Sequence, residues 1–279
     1  MFLFLSDFLQ KKRIDCFAPI PLKDCRVTKP YLLDRVGITE GTVVLLAIPY
    51  YTRSCTHPGR NLSAYAVSKN YHLFFDQLFD ELLPQLRNAF PSNRFAGFAD
   101  HSPIAEVDAA VRAGLGVLGQ NGLLLTPKYA SYVFLGAIIT DANVPCQAGE
   151  LTTCVGCGAC KGNCPTSDGS LCLSALTQKK GALTPDEEER ILRHGYAWGC
   201  DVCQEVCPYV KRALRSGSIF TPIPFFEESP LPCLTVAALD DMTDAKFAER
   251  AYSWRGRDTV RRNLLLLEKS QSKEENTPC

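Results

Sequence analysis

One stretch of the chain carries a dense run of cysteines at regular spacing. The chain has 279 residues, 14 of them cysteine, and eight of these lie between Cys154 and Cys207. The first string reads Cys154-x2-Cys-x2-Cys-x3-Cys164-Pro, and the second reads Cys200-x2-Cys-x3-Cys207-Pro. Three thiolates at two-residue gaps can hold three corners of one iron–sulfur cubane, while the fourth cysteine, before a proline, ligates another cluster.

The spacing distributes the eight cysteines between two [4Fe–4S] clusters by the crossed pattern of two-cluster ferredoxins. The second string is one cysteine short, and Cys172 is the spare cysteine of the segment that fills the gap. The predicted ligands are Cys154, Cys157, Cys160 and Cys207 for one cluster, and Cys164, Cys172, Cys200 and Cys203 for the other. Zinc is the alternative, but zinc sites usually pair two short cysteine knuckles, which the tight four-cysteine run fits poorly.

Composition and charge are those of an ordinary globular protein. Apolar residues make up 46% and charged residues 22%, with 30 basic and 30 acidic side chains. This balance argues against a protein that coats nucleic acid through its overall charge. No apolar run reaches the roughly 18 residues that span a bilayer, so we expect no membrane association. The apolar start has no preceding basic region, so we predict a first helix and a cytoplasmic location.

The elements that must position the chemistry read as α/β (α+β) over residues 1–150. Helical periodicity covers Leu62–Phe90 and Glu106–Ala113. Continuous apolar runs predict buried strands at Gly41–Tyr50, Phe95–Asp100 and Tyr132–Thr140. Because strands and helices alternate, we predict a mixed or parallel sheet covered by helices.

The composition changes after residue 150. Residues 151–212 are rich in Gly and Cys with few large apolar residues, so we predict a ferredoxin-like two-cluster module that the metal centres hold together. A helix is predicted over Pro185–His194, with Thr184 as its N-cap. Residues 213–279 are predicted to be a proline-rich connector followed by a short helical tail.

Several motifs together resemble the epoxyqueuosine reductase family. They occur in the family's order between about residue 35 and about residue 267, and the main ones are Phe98-Ala-Asp-His-Ser-Pro-Ile-Ala-Glu106, Ala113-Gly-Leu-Gly-Val-Leu-Gly119, Ser131-Tyr-Val-Phe-Leu-Gly136 and Gly199-Cys-Asp-Val-Cys-Gln-Glu-Val-Cys-Pro208. The resemblance implies a cobalamin in the N-terminal unit, reduced through the two clusters by an external donor such as a flavodoxin or ferredoxin. It also implies a tRNA substrate, in which the epoxide oxygen of epoxyqueuosine is removed to give queuosine.

The resemblance assigns a catalytic role to Asp100, which corresponds to the family's acidic residue after the second strand. An oxygen that leaves as an alkoxide needs a proton, and a carboxylic acid with a raised pKa can supply it. The alternative is a turn residue at the end of a strand. Contacts to the cobalamin are expected near a glycine-rich stretch and a strand start, from Gly114, Gly116, Gly119, Tyr129 and Tyr132. For the two tyrosines, an ordinary place in the core is the alternative.

The chain also departs from the family's pattern. Val107 follows Glu106 where the family usually has a Glu-Arg pair, and longer members continue into helical repeats that grip the tRNA, so we expect a short form. Arginines between Arg250 and Arg262, interleaved with Tyr252 and Trp254, predict an RNA contact or a solvated helix face. Two other functions stay open: an electron carrier without chemistry of its own, and a related corrinoid reductase that acts on a small molecule.

Overall fold

The computed structural model describes residues 1–169 and 171–275. The strands in this part of the chain are β1 (Phe17–Pro21), β2 (Thr42–Pro49), β3 (Phe95–Ala99), β4 (Val117–Leu118), β5 (Leu124–Leu125) and β6 (Val133–Thr140). The α-helices are α1 (Phe2–Lys11), α2 (Pro30–Val36), α3 (Ala64–Val67), α4 (Tyr71–Ala89), α5 (Glu106–Arg112), α6 (Ala159–Gly162), α7 (Leu173–Thr177), α8 (Pro185–His194), α9 (Val202–Glu205), α10 (Pro208–Ser216), α11 (Val236–Asp240), α12 (Asp244–Ala248) and α13 (Arg257–Glu275). Within these described residues, we find no helix with the length and apolar character needed to cross a membrane.

The chain divides into two units, each assembled from separate segments. The first unit comprises Met1–Tyr50, Tyr71–Cys157 and Pro208–Ile223. The second comprises Tyr51–Asn70, Gly158–Cys207 and the chain from Pro224 onward. The three-part division predicted from composition is of a different kind, because it follows residue types along the chain, and it stays a prediction.

The sheet of the first unit is antiparallel at every pairing, so the predicted mixed or parallel sheet is wrong. The strand order is β1-β2-β6-β3. Strands β2 and β3 run in the same direction, but β6 lies between them and is antiparallel to both, with Leu46 opposite Gly136 and Gly97 opposite Ile138. The alternation of strands and helices along the chain does not reveal that a later strand is inserted between two earlier ones.

Strand β2 is the centre of the first unit, and all eight of its residues are buried. On one face, Leu45 joins an apolar cluster with Ala109 and Ala110 of α5. On the other face α4 covers the sheet so closely that a methyl group at Gly136 would overlap the Phe75 ring. The prediction of a strand buried on both faces is therefore confirmed.

The helix predicted over Leu62–Phe90 is interrupted at three residues. Ser68 is extended, and its hydroxyl donates to the Phe226 carbonyl at 2.6 Å. The Asn70 N–H donates to the Glu249 carbonyl at 2.8 Å. These tertiary hydrogen bonds hold residues 68–70 out of the helical conformation, so α4 starts at Tyr71 and places that residue in its first turn.

The second unit has an apolar core of its own. The rings of Trp198 and Tyr252 are fully buried and meet edge to face, with centroids 6.1 Å apart. Leu176 and Ile191, which fall inside the cysteine-rich segment, pack in the same core with residues from beyond position 230. The segment is therefore not without a hydrophobic core, since the tail supplies the missing partners. The helix predicted over residues 185–194 is confirmed, with a capping box at Thr184.

Candidate active site and cysteine centre

Asp100 lies directly after β3 in a left-handed backbone conformation, with φ of +59°. Aspartate is one of the few residues besides glycine that tolerates this conformation. Its carboxylate accepts a hydrogen bond from the Tyr71 hydroxyl, and its Oδ2 lies 3.4 Å from Nε2 of His72. The Asp100 side chain is 55% exposed. The first turn of α4 therefore orients a carboxylate that solvent can reach.

The electrostatics of Asp100 differ from the sequence prediction. Burial by itself would raise the pKa of Asp100, but hydrogen bonds from His72 and Tyr71 and the positive charges of His72 and Lys29 outweigh it, and the pKa is lowered. The hydrogen bond to Asp100 raises the pKa of His72 in turn. Asp100 is thus ionised at neutral pH, and the expectation of a raised pKa at this residue is wrong.

The carboxyl group with a raised pKa in this neighbourhood belongs to Glu106, the first residue of α5. Burial and the charge of Asp100 raise the pKa of Glu106 to about 8, and the Lys29 ammonium offsets a part of this. Oε1 of Glu106 is buried and has no hydrogen-bond partner among the described residues. A carboxyl group in such surroundings is protonated at neutral pH.

A column of stacked aromatic rings leads to Asp100. Tyr50 stacks on Phe134 at 4.2 Å, Phe134 on Tyr71 at 4.1 Å, and Tyr71 on His72 at 4.3 Å between centroids. Phe134 and Tyr71 are half-buried, so this aromatic column has an open side. Sequence reasoning missed Tyr71 and His72 as partners of Asp100, because Tyr71 precedes it by 29 residues. The available signal was the stretch Ala64-Tyr-Ala-Val-Ser-Lys-Asn-Tyr-His72, which weakly resembles the sequence of the same family.

The glycines predicted to contact a cobalamin have structural reasons to be glycine. Gly114 follows α5 with φ of +83°, and a Cβ there would meet open space. A Cβ at Gly116 would lie 2.3 Å from the Leu125 carbonyl oxygen, and one at Gly119 would lie equally close to a neighbouring side chain of the β4–β5 turn. Gly116 and Gly119 are therefore required by the close packing of the β4–β5 hairpin.

The two tyrosines predicted at the same cofactor are buried in the first unit. The Tyr129 hydroxyl donates to Asp15 at 2.8 Å, and the Tyr132 ring meets Tyr50 edge to face at 5.8 Å. Of the five positions, Gly114 is exposed, Gly116 is half-buried and the other three are buried, so the set as a whole offers little surface to a large flat ligand. Cobalamin contact at these five positions stays a prediction.

The predicted ligands of the second cluster lie in the second unit as free thiols. Burial raises the pKa of Cys200 to about 12, and the charges of Asp201, Cys203 and Cys172 add to the effect. The Cys172 and Cys203 thiols are therefore close enough to Cys200 to oppose its ionisation. A buried thiol beside other thiols becomes a thiolate when a metal compensates its charge, so the surroundings of Cys200 fit a metal ligand. Within the described residues, no three His, Cys, Asp or Glu side chains are already grouped to hold a metal ion.

The loop that carries the first cysteines has a backbone suited to the same role. Gly156 and Gly158 both adopt left-handed conformations, with φ of +68° and +76°. Successive N–H groups in such turns form concave nests that bind anionic groups, iron–sulfur clusters among them. The Cys154 N–H donates to the Leu118 carbonyl at 2.9 Å and anchors the loop to β4. This geometry agrees with the spacing argument, while the grouping of these ligands stays a prediction.

A buried carboxylate fixes the turn that carries the second cysteine string. Asp201 is fully buried and accepts hydrogen bonds from the Arg60 guanidinium at 2.7 Å, the Ser63 hydroxyl at 2.6 Å, the Ala64 N–H at 2.6 Å and the Gln204 amide at 3.0 Å. Both carboxylate oxygens thus accept two donors each. The spacing of the cysteines gave no indication of this contact with residues 60–64.

Most of the arginines predicted to contact RNA are engaged within the second unit. Arg257 and Arg262 donate to backbone carbonyls at 2.7 and 2.8 Å, and Arg261 pairs with Asp240 at 2.9 Å. These contacts hold α13 against its neighbours, so these three side chains have a structural role that is neither of the two alternatives predicted from the sequence. Trp254, by contrast, is 62% exposed.

Solved structures of other proteins share this fold. A structure of epoxyqueuosine reductase from Streptococcus thermophilus matches with a TM-score of 0.77 at 21% identity, covering 100% of this chain and 86% of that one. A crystal structure of epoxyqueuosine reductase with a tRNA-Tyr epoxyqueuosine-modified tRNA stem loop matches with a TM-score of 0.73 at 24% identity, covering 95% and 81%. The protein therefore has the mixed α/β fold of these reductases.

Sequence similarity identifies the family. The epoxyqueuosine reductase of Gloeobacter violaceus is 32% identical over 218 residues, which is 74% of this chain and 68% of that protein. No family model matches the chain. The chain belongs to the epoxyqueuosine reductase family and is an oxidoreductase, as the motifs around Asp100 and Cys200 predicted.

Proposed function

We propose that this chain reduces epoxyqueuosine to queuosine in tRNA, which places it in the cytoplasm. The observation that carries the proposal is the Asp100 site, in which a carboxylate is oriented by Tyr71 and His72 beside an open aromatic column, in a member of this reductase family. The reaction removes the epoxide oxygen as water and consumes two electrons and two protons per turnover.

The chain's own residues position the substrate and move the proton. Asp100 is the residue proposed to hand a proton to the leaving oxygen, and Tyr71 and His72 fix its orientation. The half-buried rings of Phe134 and Tyr71 offer a flat surface on which a nucleobase can stack. Because Asp100 is ionised at neutral pH, it can act as an acid only when a neighbouring group supplies the proton.

We assign two [4Fe–4S] clusters and a cobalamin to the protein as its proposed cofactors. A bound cobalamin would supply the low-potential chemistry that opens the C–O bond, with electrons passed one at a time through the clusters from an external flavodoxin or ferredoxin. The cobalamin assignment rests on family membership, since the five predicted contact positions fit it poorly. The proposed division of labour gives substrate and cobalamin to residues 1–150, the clusters to 151–212 and the connector and tail to 213–279. The proposed cluster ligands are those predicted from spacing: Cys154, Cys157, Cys160 and Cys207, and Cys164, Cys172, Cys200 and Cys203.

The test is anaerobic turnover of a tRNA stem loop that carries epoxyqueuosine, with a reduced viologen dye and added cobalamin, read by mass spectrometry of the nucleosides. We expect queuosine to form. Asp100→Asn should keep its iron, but its turnover rate should fall by about 10²–10⁴-fold, which is the usual contribution of general acid catalysis. Asp108→Asn, which removes a carboxylate paired with Arg112 on α5, is the control and should retain its activity. A wild-type protein that leaves the epoxide intact refutes the function.

An electron carrier without its own chemistry is less well supported, because such a protein has no need of an oriented carboxylate. It predicts that iron is bound and that cobalamin is not, which calorimetry on the anaerobic protein would reveal. A reductase of small molecules predicts turnover of the free epoxyqueuosine nucleoside at the rate of the tRNA stem loop. We expect instead that the stem loop reacts much faster.

A further inference from the structure

Glu106 is a carboxyl group close to the proposed active site for which the function described so far has no use. It opens α5, six residues after Asp100, and its Oε1 is buried without a hydrogen-bond partner among the described residues. An ionised carboxylate left without partners in a buried position is strongly unfavourable, whereas the neutral acid is tolerated there. The surroundings of Glu106 therefore favour the form that carries a proton.

The loop that joins the two carboxyl groups is held in place. The N–H groups of Thr28 and Lys29 donate to the Pro103 carbonyl at 2.8 and 3.1 Å, and the Ala105 N–H donates to the Arg26 carbonyl at 2.9 Å. Side-chain contacts brace the same loop, because the His101 ring nitrogens lie 3.2 Å from the Lys29 ammonium and 3.0 Å from the Tyr31 hydroxyl. These contacts therefore fix the backbone position of Asp100 relative to that of Glu106.

The charges around the pair separate the two groups into an acid and a base. Asp100 is surrounded by donors that favour its ionised form, namely Tyr71 and His72 from α4, with the Lys29 charge nearby. Within the part of the chain that the structure describes, Oε1 of Glu106 has no such donor, and the Asp100 charge opposes the ionisation of Glu106. Two carboxyl groups whose environments act in opposite directions are the arrangement that divides acid and base roles between them.

We propose that Glu106 holds the proton that this site delivers and transfers it to the substrate oxygen through Asp100. This inference rests on the proposed function. In the step, the O–H bond of the Glu106 carboxylic acid breaks, the Asp100 carboxylate takes the proton and passes it to the leaving oxygen, and Glu106 is reprotonated from solvent. Glu106 does not contact the substrate and acts through Asp100, so it is a positioning residue. Its role is to hold the proton inside the site before the reaction begins.

The test compares wild type, Glu106→Gln and Glu106→Asp in the stem-loop assay across pH, with Asp108→Asn as the control from the same helix. Because the proton is available only below the pKa of Glu106, wild-type turnover should fall above about pH 8. The turnover rate of Glu106→Gln should be about 10²-fold lower than that of wild type, at the lower end of the range for general acid catalysis. Its turnover should not decline above about pH 8. Glu106→Asp should recover part of the rate, with a shifted decline, and Asp108→Asn should match wild type.

The pKa of His72 is raised as well, so the His72→Gln variant is included. The turnover of this variant should still decline above about pH 8, because the decline is assigned to Glu106. A readout independent of turnover is the infrared carbonyl band of a protonated carboxylic acid at neutral pH. We expect this band in wild type and Asp108→Asn, with a midpoint near pH 8, and its loss in Glu106→Gln.

Suppose that the wild type is active and that Glu106→Gln keeps either the decline of turnover above about pH 8 or the carboxylic acid band. This result overturns the role of Glu106 and leaves the proposed function standing. A wild type that leaves the epoxide intact refutes the proposed function and the role of Glu106 with it. The two failures are therefore distinguishable.

Discussion

Replacing Asp201 by asparagine tests whether a buried ion pair stabilises the second unit. The Asp201 side chain is fully buried and the Arg60 side chain is 8% exposed, with their N and O atoms 2.7 Å apart. Asparagine has nearly the same shape, so the change removes a charge and an acceptor without opening a cavity. Among the described residues, the Arg60 guanidinium then keeps Glu205, a partner at the surface, as its counter-charge.

The expected loss follows from the contacts that change. Removing one partner of a buried ion pair costs about 3–5 kcal/mol, because the other charge stays buried without compensation. The Asn amide oxygen can still accept from two of the four donors, so we expect the free energy of unfolding to fall by about 3 kcal/mol, the lower end of that range. Glu205→Gln is the matched control, since this carboxylate binds the same guanidinium but is 45% exposed, and it should cost less than about 1 kcal/mol.

The assay is urea unfolding under anaerobic conditions, followed by far-ultraviolet circular dichroism. Iron is measured first in each variant, so that loss of a cluster is separated from loss of the ion pair. A double-mutant cycle with Arg60→Gln should show that the two changes are far from additive. If Asp201→Asn with full iron loses less than about 1 kcal/mol, the network does not stabilise the unit as argued.

Two further predictions concern the metal centre and the tail. Cys172→Ala should lower the iron content from about eight to about four per chain, because one cubane loses a ligand. Cys233→Ala, which replaces an exposed cysteine outside the two strings, is the control and should keep the full iron content. An unchanged iron content in Cys172→Ala would exclude Cys172 as a ligand. Arg261→Ala should leave the affinity for the tRNA stem loop and its salt dependence unchanged, because the Arg261 guanidinium is paired with Asp240. The substitution should lower the free energy of unfolding by less than about 1 kcal/mol. Weaker binding with a shallower salt slope would instead show a phosphate contact.

Local patterns predicted much of the secondary structure. The apolar run at residues 41–50 became β2, and the capped helix at 185–194 became α8, because burial on both faces and end-capping are encoded by neighbouring residues. The order of strands was not predictable in this way. The insertion of β6 between β2 and β3 depends on which strand edges meet, and Ser68–Asn70 leave the helix because of contacts with residues far along the chain.

The chain by itself determined the cysteine strings, the family resemblance and the place of Asp100 at the end of a strand, because each depends on residue types at short spacing. Only the tertiary structure decided how the acidic groups behave. The pKa of Asp100 is lowered by donors from α4, and that of Glu106 is raised by burial and by Asp100 itself. Desolvation and Coulomb interactions depend on distances in space, so the division of a proton between two carboxyl groups cannot be predicted from their separation along the chain.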